Sequence, residues 1–353
     1  MKCYCVVDFH QPLQRLEQDT PKPEGAQVLL QVRAAGVCHS DVHLWEGGYD
    51  LGQGKRLSIQ ERGVVLPLTL GHETAGTVSA VGPDASHIHI GRNYLVYPWI
   101  GCGACPACQG GQENHCSAPR YLGVYRPGGY ADYLLVPDAR YLIDIGTLDP
   151  ATAAPYACSG LTTYSALRKI GEDIYRNHPI VIFGAGGLGL MAVEILRALG
   201  GQGAIVVDID PAKREAALAA GALAAIDGAA PDAAARQIIA AAGGKPLQAA
   251  LDLVGAPATT GTAFDTLIKG GKLVIVGLFG GGATWPLALI PMRAISIIGS
   301  YVGSLQELLE LMVLVSDGRI KPIPVHRHPL DQADQVLAAL VAGRVVGRAV
   351  LTA

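Results

Sequence analysis

Three groups of residues along the chain have types and spacings that could do chemistry. Cys102, Cys105, Cys108 and Cys116 form a C-x2-C-x2-C-x7-C run bunched inside fifteen positions rich in Gly and Pro. Four thiolates can close a tetrahedron around Zn²⁺ at ~2.3 Å each and leave no position for substrate, so such a site is structural. Iron–sulfur ligation also uses close-set cysteines, but the bacterial ferredoxin run ends C-x3-C-P and the wider last gap here fits it poorly; unliganded thiols are the third reading. The second group is Cys38-His39-Ser40-Asp41-Val42-His43, then Gly71-His72-Glu73, then Cys158, each beside a turn. Together they offer two thiolates and an imidazole, and Cys2His with an open fourth position is one ligand set of a catalytic zinc. Taken singly each is ordinary: Cys158 among Ala, Pro and Gly reads as a small buried hydrophobe, and His72 before a carboxylate as a hydrogen-bonded structural residue. The third group is Phe183-Gly184-Ala185-Gly186-Gly187-Leu188-Gly189, where Gly184, Gly186 and Gly189 fill a G-x-G-x-x-G pattern. Gly184 allows a tight turn, Gly186 lets the backbone approach a pyrophosphate, and Gly189 lets helix and strand pack closely. Asp208, nineteen residues beyond Gly189, can accept both ribose hydroxyls of an adenosine and repels a 2′-phosphate, which favours NAD over NADP. Asp210, followed by Pro211, reads as a helix cap instead.

These groups need elements to hold them. Up to about Pro155, short apolar runs such as Gln27 to Ala34, Thr74 to Val81, Arg92 to Trp99 and Tyr130 to Val136 alternate with Gly, Pro and Asp turns. That texture predicts an all-β unit of barrel type. From Tyr156 the period changes. A bare strand, Pro179 to Phe183, leads through the glycine turn into helical spacing over Leu188 to Leu199, followed by a strand at Ala204 to Val207 and a helix at Pro211 to Ala220. Further strand-like runs at Ala249 to Val254, Lys272 to Gly277 and Ala294 to Gly299 extend the pattern to a parallel sheet with crossover helices. Gly221 to Gly244, rich in Ala but broken by charges, reads as helix with loops. Beyond Gly303, two helical and two strand-like stretches make too small a piece to stand alone and should pack back onto the N-terminal unit. The expected division is 1–155 with 303–353 as one domain and 156–302 as the other.

Composition limits the classes of function. The 353 residues carry a net charge of −3 with only 16% charged side chains, so there is no basic stripe for nucleic acid or an anionic membrane. Half the residues are hydrophobic and 45 are glycine, which suits a compact chain with many tight turns. The longest apolar run, Pro179 to Val193, is broken by four glycines and falls short of the ~20 residues of a membrane span. Met1 to His10 lacks the shape of a targeting segment, and eight sparse cysteines point to metal rather than a disulfide scaffold, so the chain reads as cytoplasmic.

The joint order of the motifs carries a resemblance. Through CHSDVH, GHETAG, the cysteine lobe, CSGLTTY at Cys158 to Tyr164, GAGGLG, VGLFG at Val276 to Gly280 and GRAVL at Gly347 to Leu351, the chain resembles the zinc-containing alcohol dehydrogenases of the medium-chain dehydrogenase/reductase superfamily. It looks most similar to the tetrameric archaeal and bacterial NAD-dependent members. The resemblance implies an α/β chain with a GroES-like β-barrel catalytic domain made of both chain ends and a Rossmann doubly wound domain between them. It implies two zinc ions per chain and NAD. Cys38, His72 and Cys158 would hold the catalytic zinc, Glu73 would enter its coordination transiently, and Asp41 would hydrogen-bond His72 and orient it. Zinc lowers the pKa of bound water from ~15.7 to ~7 and would do the same for an alcohol, after which hydride can leave for the nicotinamide. Ser40 would take the proton and relay it through the nicotinamide ribose hydroxyls to His43, a base facing solvent. His39 and Arg348 would sit on the pyrophosphate, with Gly187, Leu188, Lys213, Val254, Val276 and Leu278 as further cofactor contacts. Trp45, Trp99 and Leu122 would line an apolar pocket for a medium-sized primary, secondary or aromatic alcohol, its aldehyde or its ketone. A homotetramer is implied, with a dimer as second choice.

One departure, one pair of residues without a role and three rivals remain at this level. Tyr49 to Leu66 (YDLGQGKRLSIQERGVVL) is an insert between Cys38 and His72 relative to shorter members, and its charge and Gly content read as an exposed loop at the substrate mouth or a subunit contact. Cys3 and Cys5 have no role beyond burial in an N-terminal strand. A polyol dehydrogenase would need polar groups where Trp45 and Trp99 stand. A zinc-free quinone or enoyl reductase usually lacks the cysteine lobe and the ligand set. A non-catalytic NAD(H)-binding redox sensor would have no use for intact Cys38, His72, Cys158, Ser40 and His43.

Overall fold

Two sheets of opposite character organise the chain, which a computed structural model describes over residues 1–352. The first is a curved, mainly antiparallel sheet in the order Leu142–Asp144, Asn93–Val96, Glu73–Val81, Val28–Gly36, Arg348–Thr352, Val325–Pro329, with Tyr133–Val136 also paired to Val28–Gly36. Val28–Gly36 lies at its centre, and its sequence VLLQVRAAG leaves only Gln31 and Arg33 reaching toward water. The last two strands come from the C-terminal stretch, and Val350, Leu351 and Thr352 pair antiparallel with Gly36, Ala35 and Ala34. Both chain ends therefore build one sheet. A small sheet of Gln14–Glu17, Lys2–Val6 and Leu68–Thr69 closes one side and buries Cys3 and Cys5.

Between the two ends lie six parallel strands in the order Ala224–Asp227, Ala204–Asp208, Ile180–Phe183, Leu247–Asp252, Leu267–Ile275, Ser296–Gly299. Counted within this sheet the order is 3-2-1-4-5-6, the doubly wound arrangement, and it reverses direction beside Ile180–Phe183. All four residues of that strand are buried, as a strand covered by helices on both faces must be. Val181, Phe183, Ile205 and Val207 pack on one side, while Ile180, Ile182 and Val206 join the large core on the other. The short strand Ala224–Asp227 lies inside the Ala-rich stretch expected to hold only helix and loop; a single deeply buried residue, Ile226, and parallel pairing to Ala204–Asp208 hold it, a signal too thin to read from periodicity. Helix Ser159–Ile170, buried along most of its length, packs on Gly187–Ala198 and on Leu305–Ser316 and so ties the two sheets together.

The insert departs from its expected form. Gly48–Gly52 and Lys55–Ser58 pair as a hairpin whose two-residue turn, Gln53-Gly54, has φ of 54° and 74°. Positive φ at both turn positions matches the twist of paired strands, so a Gly-containing charged stretch closes as a hairpin instead of staying irregular. Its strands are largely exposed, and Ile59 and Val64 anchor the return leg in the core. No helix among the described residues is long and apolar enough to cross a membrane.

Candidate active site

Cys38 follows the central strand and heads the helix His39–Glu46. One turn in, the Asp41 carboxylate accepts from the amides of Cys38 at 2.9 Å and Gly71 at 3.3 Å and from the Tyr130 hydroxyl at 3.2 Å. One fully buried carboxylate thus fixes both segments that carry Cys38 and His72. His72 Nδ1 stands 3.4 Å from Asp41 Oδ1, a charge contact rather than the aligned hydrogen bond expected, because the carboxylate is already oriented toward those amides. Cys158 heads helix Ser159–Ile170. The ligand atoms of Cys38, His72, Glu73 and Cys158 all lie within 4.8 Å of one another, and all four residues are buried.

The chemistry of this donor set suits a cation. Both ring nitrogens of His72 are buried without a protein hydrogen-bond partner, and a buried polar group left unpaired costs about 1–3 kcal/mol. The proton shared with Cys158 holds the Cys38 thiol well below the usual cysteine range, while the same contact and burial push Cys158 well above it. A metal bound by both sulfurs and an imidazole nitrogen relieves all three demands at once, so the residues fit zinc.

Glu73 opens the strand Glu73–Val81 opposite Gly36, where a Cβ would fall 2.0 Å from its Oε2. Its carboxylate accepts from the Ser159 amide at 3.3 Å and pairs with Arg348 Nη2 at 2.5 Å. Burial pushes Glu73 up to about 7 even though Arg348 pulls it down. Arg348, expected on the pyrophosphate, is committed to Glu73 at one end, while its stem lies against Gly187 and its Nε has no partner. It joins the ligand cluster to the glycine turn, and residue spacing gave no sign of that pairing.

Ser40 Oγ is 3.9 Å from Cys38 Sγ, and His43 follows one turn later on the same helix. His43 is not the open solvent-facing imidazole expected. Its side chain is only 14% exposed, lies 4.8 Å from the Tyr49 ring and places Nδ1 3.7 Å from Glu46. Burial lowers its pKa below the ordinary value.

On the cofactor side, Gly184 has φ of 97° at the end of Ile180–Phe183, and a Cβ on Gly189 would fall 1.9 Å from the Gly184 carbonyl oxygen. A Cβ on Gly186 meets no atom within 4 Å. Asp208 ends its strand, where one carboxylate oxygen accepts from the Ala185 amide at 2.7 Å and the other from Asp210 N at 2.9 Å. Asp210 caps the next helix through the Ala212 amide, as its position before Pro211 predicts. Lys213 lies in the first turn of that helix, with Nζ 3.9 Å from Asp210. Val254, held by the Asp252 carboxylate, flanks Gly184. Val276 is buried beside it, Leu188 is half-buried, and Leu278 is exposed. His39 is exposed at the helix start, within charge range of Arg348 and Lys213.

The cysteine lobe gathers as its spacing predicts. Cys105 Sγ lies 3.5 Å from Cys108 and 3.8 Å from Cys116, and Cys102 lies 3.9 Å from Cys108. The amides of Ala104 and Cys105 point at the Cys102 sulfur and lower its pKa to about 6, while those of Cys102 and Ala118 point at Cys116. Sulfurs this close without any disulfide, met by amide donors, form a cradle for a cation.

The pocket assignments divide. Trp99 is buried with its ring 5.2 Å from the His72 ring and its Nε1 bonded to Ala157 O, so it does line the cluster. Trp45 does not: its indole donates to Gln11 O and its ring packs edge-on against His10, two helical turns or about 10 Å along from Cys38. Leu122 is buried like Trp99, and its neighbour Tyr121 meets the Trp99 ring at 5.4 Å. Tyr49, Tyr125, Tyr301 and Arg62 complete the wall and were missed. The one hint was thirteen Tyr against four Phe.

Comparison with known proteins agrees in extent and kind. Residues 24–146 match the family profile described as alcohol dehydrogenase GroES-like domain, and residues 187–317 match zinc-binding dehydrogenase. The chain is 38% identical over 352 residues to an NAD-dependent alcohol dehydrogenase of Sulfurisphaera tokodaii, covering 99% of each chain. It is 38% identical over 351 residues to one of Saccharolobus solfataricus, again covering 99% of each. The crystal structure of the alcohol dehydrogenase from Aeropyrum pernix superimposes with a TM-score of 0.90 at 30% identity, over the full length of both chains.

Proposed function

The chain belongs to the zinc-containing alcohol dehydrogenases of the medium-chain dehydrogenase/reductase superfamily, and from that premise we propose that it is an NAD-dependent enzyme oxidising medium-sized primary, secondary or aromatic alcohols reversibly to aldehydes or ketones. The observation that carries the reading is the meeting of Cys38, His72 and Cys158 within 4.8 Å, with both His72 nitrogens unpartnered. Those three residues are the proposed holders of the catalytic zinc, and Cys102, Cys105, Cys108 and Cys116 of a structural one. When bound, zinc supplies a Lewis acid that brings a hydroxyl's pKa toward neutrality and NAD supplies the hydride acceptor. The chain's own groups do the rest. Asp41 holds the amides of Cys38 and Gly71 and so fixes the ligand spacing. Ser40 takes the hydroxyl proton and His43 passes it outward. Glu73, near neutrality in its pKa and tethered by Arg348, is the carboxylate able to exchange with the ligands. Trp99 and Tyr121 exclude water from one side. Asp208 selects NAD, and Arg348 with His39 meets its pyrophosphate.

A cytoplasmic location is part of this proposal, supported by eight cysteines that form no disulfide. So is a homo-oligomer, a tetramer before a dimer, supported by the edge strand Ser296–Gly299 and by exposed Leu287 and Met292 in the segment that leads into it. The experiment combines metal content with NADH formation at 340 nm on a panel of alcohols. Two zincs per chain and alcohol-dependent NADH are expected, with Cys38→Ala losing one zinc and roughly a thousandfold in rate, the scale of several kcal/mol. Unchanged NADH production by Cys38→Ala, or iron in the cysteine lobe, overturns the assignment.

A further inference from the structure

The return leg of the insert brings Arg62 to the aromatic wall. Its guanidinium carbon lies 5.6 Å above the Tyr49 ring, and Tyr49, Tyr125 and Tyr301 surround it, with side-chain contacts to Tyr49 and Tyr301. This wall is continuous with the ligand cluster. The Tyr49 ring packs at a tilt against His43 at 4.8 Å, and Tyr301 stands 6.2 Å from Trp99, whose ring meets His72 at 5.2 Å. Among the described residues Arg62 pairs with no carboxylate, and the hydroxyls of Tyr49, Tyr125 and Tyr301 donate to no acceptor. Tyr121, by contrast, spends its hydroxyl on Asn114 O.

One guanidinium that no carboxylate pairs and three O–H donors with no acceptor of their own thus meet on this wall. An ammonium or a further guanidinium would be repelled there, and an alkyl chain would leave every donor unmatched. A carboxylate is acceptor-only with about four lone-pair sites, and a guanidinium fork matches its two oxygens. We propose that Arg62, Tyr49, Tyr125 and Tyr301 form a seat for a carboxylate at the far end of the substrate, so that the preferred alcohols are hydroxy acids whose carbinol carbon lies several bonds from the acid. This rests on the dehydrogenase reading and narrows its substrate class. The carboxylate is held, not transformed; oxidation of the carbinol proceeds as for any alcohol and yields an oxo acid. Trp99 and Tyr121 contact the carbon chain between the two ends. The apolar pocket expected from the sequence is therefore apolar only along its middle.

The test compares ω-hydroxy acids of four to eight carbons with their methyl esters. In the wild-type enzyme kcat/KM for the best acid exceeds that of its ester by tenfold or more, and 0.5 M salt reduces the ratio because it screens the guanidinium. Arg62→Leu brings the ratio to about one through KM with kcat little altered, while Arg62→Lys keeps part of it. Tyr301→Phe gives a smaller loss in the same direction. An acid-to-ester ratio near one in the wild type, or one that survives Arg62→Leu, overturns the seat. The esters report the dehydrogenase reading independently. Calorimetric titration of the zinc- and NAD-loaded enzyme with hexanoate decides the matter even if no compound turns over: the wild type binds it at least tenfold more tightly than Arg62→Leu, and equal binding by both removes the proposal.

Discussion

At the scale of single residues, the site works by placing buried charges where only particular partners relieve them. Asp41, Glu73, His72 and Arg348 are each sealed from water, and each is stationed by amides or by one another rather than by solvent. Burying such groups without partners is costly, so their presence together argues for a purpose beyond stability. His43 is the exception at the rim. Burial lowers its pKa below 6.5 against the opposing pull of Glu46, so it stays a neutral base into mildly acidic solution. In the oxidation direction the proton can be passed on only while His43 is unprotonated. The rate should therefore hold down to a pH below 6.5 and then fall as pH drops through the lowered pKa. His43→Gln removes the acceptor and should reduce kcat/KM for alcohols by about a hundredfold, the scale of one general base. It should also flatten the acid limb. A pH–rate profile with the same acid limb in wild type and variant shows that another group carries the proton.

At the scale of elements, the glycine turn separates two functions that one motif combines. Gly189 is needed by the fold itself, since a methyl there drives into the Gly184 carbonyl. Gly186 faces open space, so its lack of a side chain serves what approaches from outside. Gly189→Ala should therefore cost about 1–3 kcal/mol, seen as a fall in Tm of several degrees. Gly186→Ala should leave Tm nearly unchanged and raise the KM for NAD about tenfold or more. Equal thermal losses in the two variants would show that both glycines act on folding alone. The motif was legible because its spacing is its mechanism: a strand, a turn needing positive φ and a helix start can be arranged in few ways. The metal cluster was legible for a similar reason, since Cys38, His72 and Cys158 each stand at the junction of an element. Trp45 was misplaced because residue type does not say how far along a helix a side chain stands from the reacting centre or which neighbour claims its polar edge. Arg62 and Tyr301 were invisible because their meeting joins a hairpin and a strand end more than two hundred positions apart.

At the scale of the whole molecule, the six-stranded sheet ends on an unprotected edge. Ser296–Gly299 pairs on one side only, with Leu267–Ile275. In the segment leading into it, Leu287 is 78% and Met292 68% exposed. Large apolar side chains clustered at an open edge are an aggregation hazard unless another copy covers them. A two-fold axis at that edge would pair Ser296–Gly299 with its own counterpart, extend the sheet across two chains and bury both apolar patches in one self-complementary contact. A tetramer then needs a second, separate interface joining two such pairs. Light scattering on the purified protein should give four times the 36.7 kDa chain mass. The double variant Leu287→Asp, Met292→Asp places like charges against each other across the proposed axis and should reduce the particle to two chains or one. The cysteine lobe and ligand cluster lie outside the altered segment, so metal content should remain at two per chain. A particle of unchanged mass in the double variant would move the interface elsewhere on the surface, and a wild-type particle of one chain would remove it altogether.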